Sequence, residues 1–169
     1  MKKHLFVTAL LMALGMSLAA QEQQIANYSM ALGVGPEWNM NSEKNFAGGL
    51  SLGFDYDLPI PAIPFAAGLF LSGSSNFSSS GVIEGAGLFR WYFLNLNSNQ
   101  RFAGFFAQAE LGAFIIMEDK ETIPLFLGGV RTGYRFPLKR FFVEPFGRIG
   151  YPFAFGIGVM GGVKIGNKE

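Results

Sequence analysis

The 169-residue chain is half hydrophobic, contains 19 phenylalanines and 23 glycines, and has only 15% charged residues, against roughly 25% in soluble domains. Its formal net charge of +1 gives no basic excess of the kind that nucleic-acid binding needs. The chain has no cysteine, which excludes disulfides and thiolate metal sites, and His4 is its single histidine. We therefore expect one apolar domain without a cofactor, a metal site or a catalytic centre.

The N-terminus has the pattern of an export signal. Residues 1–4 are basic, residues 5–16 form an almost unbroken apolar run, and residues 17–20 are mostly small, as a signal peptidase requires. Cleavage is expected near Ala19 or Ala20. The alternative is an uncleaved anchor helix, but the apolar run is short for a bilayer span. We predict a signal peptide over 1–20.

Alternation of large apolar residues with small or polar ones dominates the rest of the chain. Residues 28–38 and 46–58 show it most clearly, with an apolar residue at every second position. A period of two predicts a β-strand with one apolar face. Six further segments follow the same rule, at about 65–73, 82–94, 101–116, 125–136, 141–152 and 155–166.

The predicted strands are long enough to cross a bilayer at a tilt, which takes about 9–11 residues. A sheet that spans lipid must close on itself, because lipid offers no partner for a free backbone edge. Eight is the smallest usual number of strands in such a barrel. The predicted fold is therefore all-β: a closed eight-stranded antiparallel up-and-down transmembrane β-barrel over residues 21–169, preceded by the signal peptide.

The two faces of the predicted strands differ in charge. One face is almost free of charge, and the other carries Asp55, Asp57, Glu84, Arg90, Glu110, Arg131, Arg135, Glu144, Arg148 and Lys164. A charge facing lipid near the midplane would cost about 2–4 kcal/mol, whereas an apolar belt facing water would exceed what soluble proteins tolerate. We therefore expect the apolar face outside and the charged face inside. The core of a β-sandwich is the alternative.

Aromatic residues of the outer face cluster at the strand ends, as interfacial girdles do. The rim that holds the chain termini is expected to carry Tyr28, Tyr56, Phe65, Trp91, Phe93, Tyr134, Phe136 and Phe141. The opposite rim is expected to carry Trp38, Phe46, Tyr151 and Phe153.

The inward charges admit two interpretations. A network of ion pairs could fill the narrow interior, since eight strands leave room only for side chains and buried charges persist only when they are paired. Alternatively, the charges could line a pore that selects a solute. Geometry favours the filled interior, in which Arg90, Arg131, Arg135 and Arg148 neutralise Glu84, Glu110 and Glu144.

A glycine-rich segment, Gly156 to Gly161, matches the dinucleotide-binding fingerprint by its letters. That fingerprint requires a following helix and an acidic residue about 20 positions further on. Only eight residues follow this segment, and it alternates as a strand does. We assign it no cofactor.

By its export signal, strand count, alternation and girdles, the chain resembles the small outer-membrane barrels of the OmpA, OmpX and OmpW type. The segments Phe89–Phe93 and Gly133–Pro137 also resemble recurring pieces of spirochaetal outer-membrane barrels. The resemblance implies a bacterial outer membrane, with membrane lipid, the export and barrel-assembly machineries and small solutes as partners. It implies passive transport of small solutes or a structural role in the envelope. The alternatives are a surface-exposed adhesin or interaction barrel with a plugged lumen and, last, a lipid-modifying enzyme.

Overall fold

The computed structural model describes residues 30–41, 49–59, 64–75, 80–94, 103–118 and 121–166. In 49–59 it describes the backbone alone. The predicted signal peptide and the predicted girdle residues Tyr28 and Phe46 lie outside these residues.

The described residues form eight β-strands: β1 (Met30–Asn41), β2 (Gly49–Pro59), β3 (Phe65–Ser75), β4 (Ser80–Leu94), β5 (Gly104–Glu118), β6 (Glu121–Leu138), β7 (Phe141–Tyr151) and β8 (Phe153–Ile165). They are 11 to 18 residues long, well beyond the five or six residues of an average strand. The expected antiparallel up-and-down all-β architecture is confirmed.

Pairing runs around the whole sheet. Each strand is antiparallel to the next, and β1 also pairs with β8, from Met30 opposite Ile165 to Asn41 opposite Phe153. The sheet is thus a closed barrel, and the backbone groups of its first and last strands bond to each other. Closure satisfies these groups without help from solvent.

The wall of the barrel has an apolar outer face and a buried inner face. In β4, Ile83, Phe89 and Trp91 are about half exposed, whereas Glu84 and Arg90 are buried. The outer face of the other strands repeats this pattern, with Leu69, Leu111, Phe126 and Ile149 each at least 60% exposed. For the side chains that the structure describes, the expected assignment of apolar residues to the outside is confirmed.

One girdle prediction is wrong. Phe153 was expected on the outer rim as a continuation of β7, but only 1% of it is exposed. The chain bends at Pro152, and Ala154 and Phe155 are both exposed, so the alternation starts again in β8. The pairing of β1 with β8 is irregular at the same place, between Met40 and Asn41. This break turns the Phe153 ring into the barrel.

Aromatic rings form a continuous band at the rim where β1 begins and β8 ends, which we call the terminal rim. Successive ring centroids lie 4.4 to 6.4 Å apart. The band, called here the terminal belt, consists of Phe65, Phe89, Trp91, Phe93, Phe105, Tyr134 and Phe136. At the opposite rim, Trp38 and Tyr151 are exposed as expected.

Candidate functional site

The interior of the barrel holds a cluster of polar side chains, which we call the interior network. Strict alternation places them on the inner face of five strands. Among the described residues it comprises Glu37 of β1, Glu84 and Arg90 of β4, Gln108 and Glu110 of β5, Arg131 and Arg135 of β6, and Glu144 and Arg148 of β7. Each is at most 1% exposed.

Arg148 is surrounded by three carboxylates. Its Nη1 donates to the two oxygens of Glu37 at 3.2 and 3.3 Å, and its Nη2 donates to Glu84 Oε2 at 2.7 Å. Nη2 also lies 3.2 Å from Glu110 Oε2. The other oxygen of Glu110 lies 2.9 Å from Arg131 Nε. These five residues form the Arg148 cluster.

Glu144 has the reverse arrangement, with one carboxylate between two guanidinium groups. Its Oε2 accepts from Arg90 Nη1 at 3.0 Å and from Arg135 Nε at 2.6 Å. We call these three residues the Glu144 cluster. Gln108 joins the two clusters, because its Oε1 accepts from Arg90 Nε at 2.6 Å and its Nε2 donates to Glu110 Oε1 at 2.7 Å.

The charges of the network cancel only when both clusters are counted. The Arg148 cluster has three carboxylates and two guanidinium groups, for a formal charge of −1. The Glu144 cluster has one carboxylate and two guanidinium groups, for +1. A buried charge is tolerated only when it is paired and hydrogen-bonded. The two clusters therefore depend on each other.

Aromatic rings fill the space between the ion pairs. The Arg131 guanidinium carbon lies 4.5 Å from the Phe70 ring centroid and 4.3 Å from that of Phe146. Arg148 lies 3.9 Å from the ring centroid of Phe153 in the same way. Arg135 lies over Phe142 and Arg90 over Phe106. Such contacts stabilise a guanidinium more when it is removed from water. Among the described residues, each of the four arginines of the network therefore has an aromatic ring beside it.

The structure brings seven of the ten predicted charged residues into this network: Glu84, Arg90, Glu110, Arg131, Arg135, Glu144 and Arg148. The side chains of Asp55 and Asp57 lie outside the described part. Their backbones are in register with Phe70 and Gly68 of β3. Lys164 is half-buried near the end of β8, and its N–H donates to the Arg140 carbonyl at 2.6 Å.

Sequence reasoning left two members out of the network, Glu37 and Gln108. Both lie on the inner parity of their strands, Glu37 two residues after Gly35 and Gln108 two residues before Glu110. The alternation alone could have found them. It could not show that Glu37 meets Arg148, a residue 111 positions away.

The described residues contain no group of three or more histidine, cysteine, aspartate or glutamate residues arranged to hold a metal ion. They also contain no helix that is long and apolar enough to cross a membrane.

Comparison with known proteins gives one informative likeness. No protein-family model matches the chain, and no curated protein matches it. Among solved structures, the crystal structure of Neisserial surface protein A (NspA) matches with a TM-score of 0.59, covering 80% of this chain and 96% of that one. The sequences are 11% identical over the match. At that identity the likeness concerns the fold, and this chain shares the antiparallel β-architecture of NspA.

Proposed function

We propose that this chain is an outer-membrane surface barrel with a sealed interior, whose role is structural or interactive and does not include solute passage. The observation that carries the proposal is the interior network, in which charged side chains from five strands are paired, stacked on rings and at most 1% exposed.

The outer face supports placement in a membrane. Leu69, Leu111, Phe126 and Ile149 project from four different strands and are at least 60% exposed. In water such a belt would exceed the few hundred square ångströms of contiguous apolar surface usual for a soluble monomer. In a bilayer the same apolar belt contacts the hydrocarbon chains of the lipids. The predicted signal peptide and the fold shared with a protein named as a surface protein support the outer membrane as its location.

The interior argues against free diffusion of solutes. A solute would have to separate Arg148 from its three carboxylates, or move Arg131 out from between Phe70 and Phe146. Removing one partner from a buried ion pair costs about 3–5 kcal/mol. Eight strands also enclose only enough space for side chains. Passive transport would therefore require a large rearrangement of the network.

The finer expectations remain predictions. They are the closer relationship to OmpA-, OmpX- and OmpW-type or spirochaetal barrels, the absence of enzymatic activity, and the export and barrel-assembly machineries as partners. The predicted strands are joined by connections of at most eight residues, so an interaction role would use the rims of the barrel.

Expression of the full chain in a Gram-negative host, followed by separation of the inner and outer membranes, tests the location. We expect a processed protein in the outer-membrane fraction that migrates faster in gels before boiling than after it. Leu111→Arg should reduce this folded fraction, because an arginine near the midplane costs about 2–4 kcal/mol. Thr122→Arg, near the start of β6 and away from the midplane, is the matched control. Recovery of the unaltered protein from the soluble periplasm would contradict the proposal.

A further inference from the structure

Two strand connections, one at each rim, differ in the sign of the charged side chains that the structure describes there. At the terminal rim, Lys139 and Arg140 form the two-residue turn between β6 and β7, and both are exposed. At the opposite rim, Glu118 ends β5 and Glu121 begins β6. Among the side chains that the structure describes, the turn at the terminal rim is basic and the corresponding connection at the opposite rim is flanked by acids.

The basic turn is held in place by its backbone. Lys139 has a φ of 51°, in the left-handed region that lets a two-residue turn reverse the chain. The Arg140 carbonyl accepts from the Lys164 N–H of β8 at 2.6 Å, which attaches the turn to the last strand. Neither basic side chain of the turn forms an ion pair with a described residue. The turn therefore presents two adjacent cations to the surroundings.

Aromatic rings border this turn on the outer face. Tyr134 and Phe136, whose centroids are 4.4 Å apart, end the terminal belt on β6 just before the turn. Phe141, 59% exposed, follows it directly. Aromatic side chains of membrane proteins concentrate at the depth of the lipid headgroups. The belt thus places Lys139 and Arg140 at the level where lipid phosphates lie.

We propose that the terminal rim binds the headgroups of anionic glycerophospholipids, with Lys139 and Arg140 contacting the phosphates and the belt contacting the upper acyl chains. The proposal rests on the membrane placement given above and adds a lipid class to it. The acidic pair at the opposite rim offers these headgroups no such attraction. Each lysine or arginine near an anionic lipid surface strengthens the attraction to that surface roughly fivefold.

Tryptophan quenching by brominated lipids tests the proposal locally. The chain has two tryptophans, Trp38 at the opposite rim and Trp91 in the terminal belt. One reporter protein carries Phe141→Trp with Trp38→Phe and Trp91→Phe, so that its single tryptophan adjoins the basic turn. The second carries Trp91→Phe alone, so that Trp38 reports on the opposite rim. Both are reconstituted into phosphatidylcholine vesicles that contain brominated phosphatidylglycerol or, at equal mole fraction, brominated phosphatidylcholine.

We expect brominated phosphatidylglycerol to quench the tryptophan at position 141 about twofold more than brominated phosphatidylcholine does, and the two lipids to quench Trp38 equally. The excess at position 141 should disappear in Lys139→Gln/Arg140→Gln and in about 1 M salt, where the Debye length falls to about 3 Å. It should persist in the matched control Glu118→Gln/Glu121→Gln. Because all four positions lie at the rims, gel migration before boiling should remain that of the folded barrel.

Equal quenching by the two lipids at position 141 would overturn the lipid assignment and leave the membrane placement intact. An excess that survives both Lys139→Gln/Arg140→Gln and high salt would also overturn it. Failure of both lipids to quench either reporter would overturn the membrane placement, and the lipid assignment with it.

Discussion

The two clusters of the interior network pair their buried charges in opposite ratios. In the Arg148 cluster one guanidinium contacts three carboxylates, whereas in the Glu144 cluster one carboxylate oxygen accepts from two guanidinium groups. Each cluster alone keeps one uncompensated charge, and Gln108 connects them. Because neither cluster is neutral by itself, the interior depends on both. We expect the residue at the centre of each cluster to contribute more to stability than the residues at its edge.

The largest effect is expected from Arg148→Ala. This change removes the one guanidinium group that contacts Glu37, Glu84 and Glu110. Because these three carboxylates are buried, we expect the free energy of unfolding to fall by about 3–5 kcal/mol. This free energy can be measured by unfolding the reconstituted protein in urea and following its tryptophan fluorescence. Arg140→Ala, at the exposed turn, is the control and should change stability by no more than about 0.5 kcal/mol. Equal losses in the two variants would contradict the cluster.

Glu144→Gln tests the centre of the second cluster. The amide keeps the size of the side chain but removes the negative charge that both Arg90 and Arg135 contact. We expect a loss of about 3 kcal/mol. Adding Arg135→Leu to Glu144→Gln should cost less than the sum of the two single changes, since the second change removes one of the two positive charges that the Glu144 carboxylate contacts. Additive losses in this double-mutant cycle would show that the three residues do not act as a unit.

Gln108→Leu addresses the connection between the clusters. It removes the acceptor of Arg90 Nε and a donor to Glu110 while preserving the charges of both clusters. The buried groups left without this partner should cost about 1–3 kcal/mol. Gln108→Glu is a more specific second variant, because it keeps the acceptor for Arg90 but places a second carboxylate beside Glu110. An unchanged free energy of unfolding in the leucine variant would contradict the role of Gln108 in the network.

The smallest effect is expected from Glu37→Gln, at the edge of the Arg148 cluster. Arg148 retains Glu84 and Glu110, and the cluster loses one of its three negative charges. We expect a change of no more than about 1 kcal/mol in the same unfolding experiment. A loss as large as that of Glu144→Gln would remove the distinction between centre and edge.

Much of the fold could be predicted from the sequence because alternation is a local signal. In β4 the period of two places Glu84 and Arg90 inside and Ile83 and Phe89 outside, as the structure does. The signal fails where the chain bends: Phe153 lies inside because the bend at Pro152 starts a new phase.

The contacts of the network were harder to predict than its members. Parity shows that a side chain points inward, but register and strand tilt decide which inward side chains meet. The pair of Arg90 and Glu144 joins strands that are separated by β5 and β6 in the wall, and it forms across the interior. No pattern along the chain shows which residues meet across the interior.

Single-channel recording in planar bilayers tests the sealed interior most directly. We expect the folded protein, verified by its gel migration before boiling, to be electrically silent. A variant that removes the packing around one arginine, Phe70→Ala with Arg131→Ala and Phe146→Ala, should show openings and serves as the positive control. Discrete, reproducible openings of the unaltered protein would contradict the account and would make the interior charges the selectivity residues of a channel.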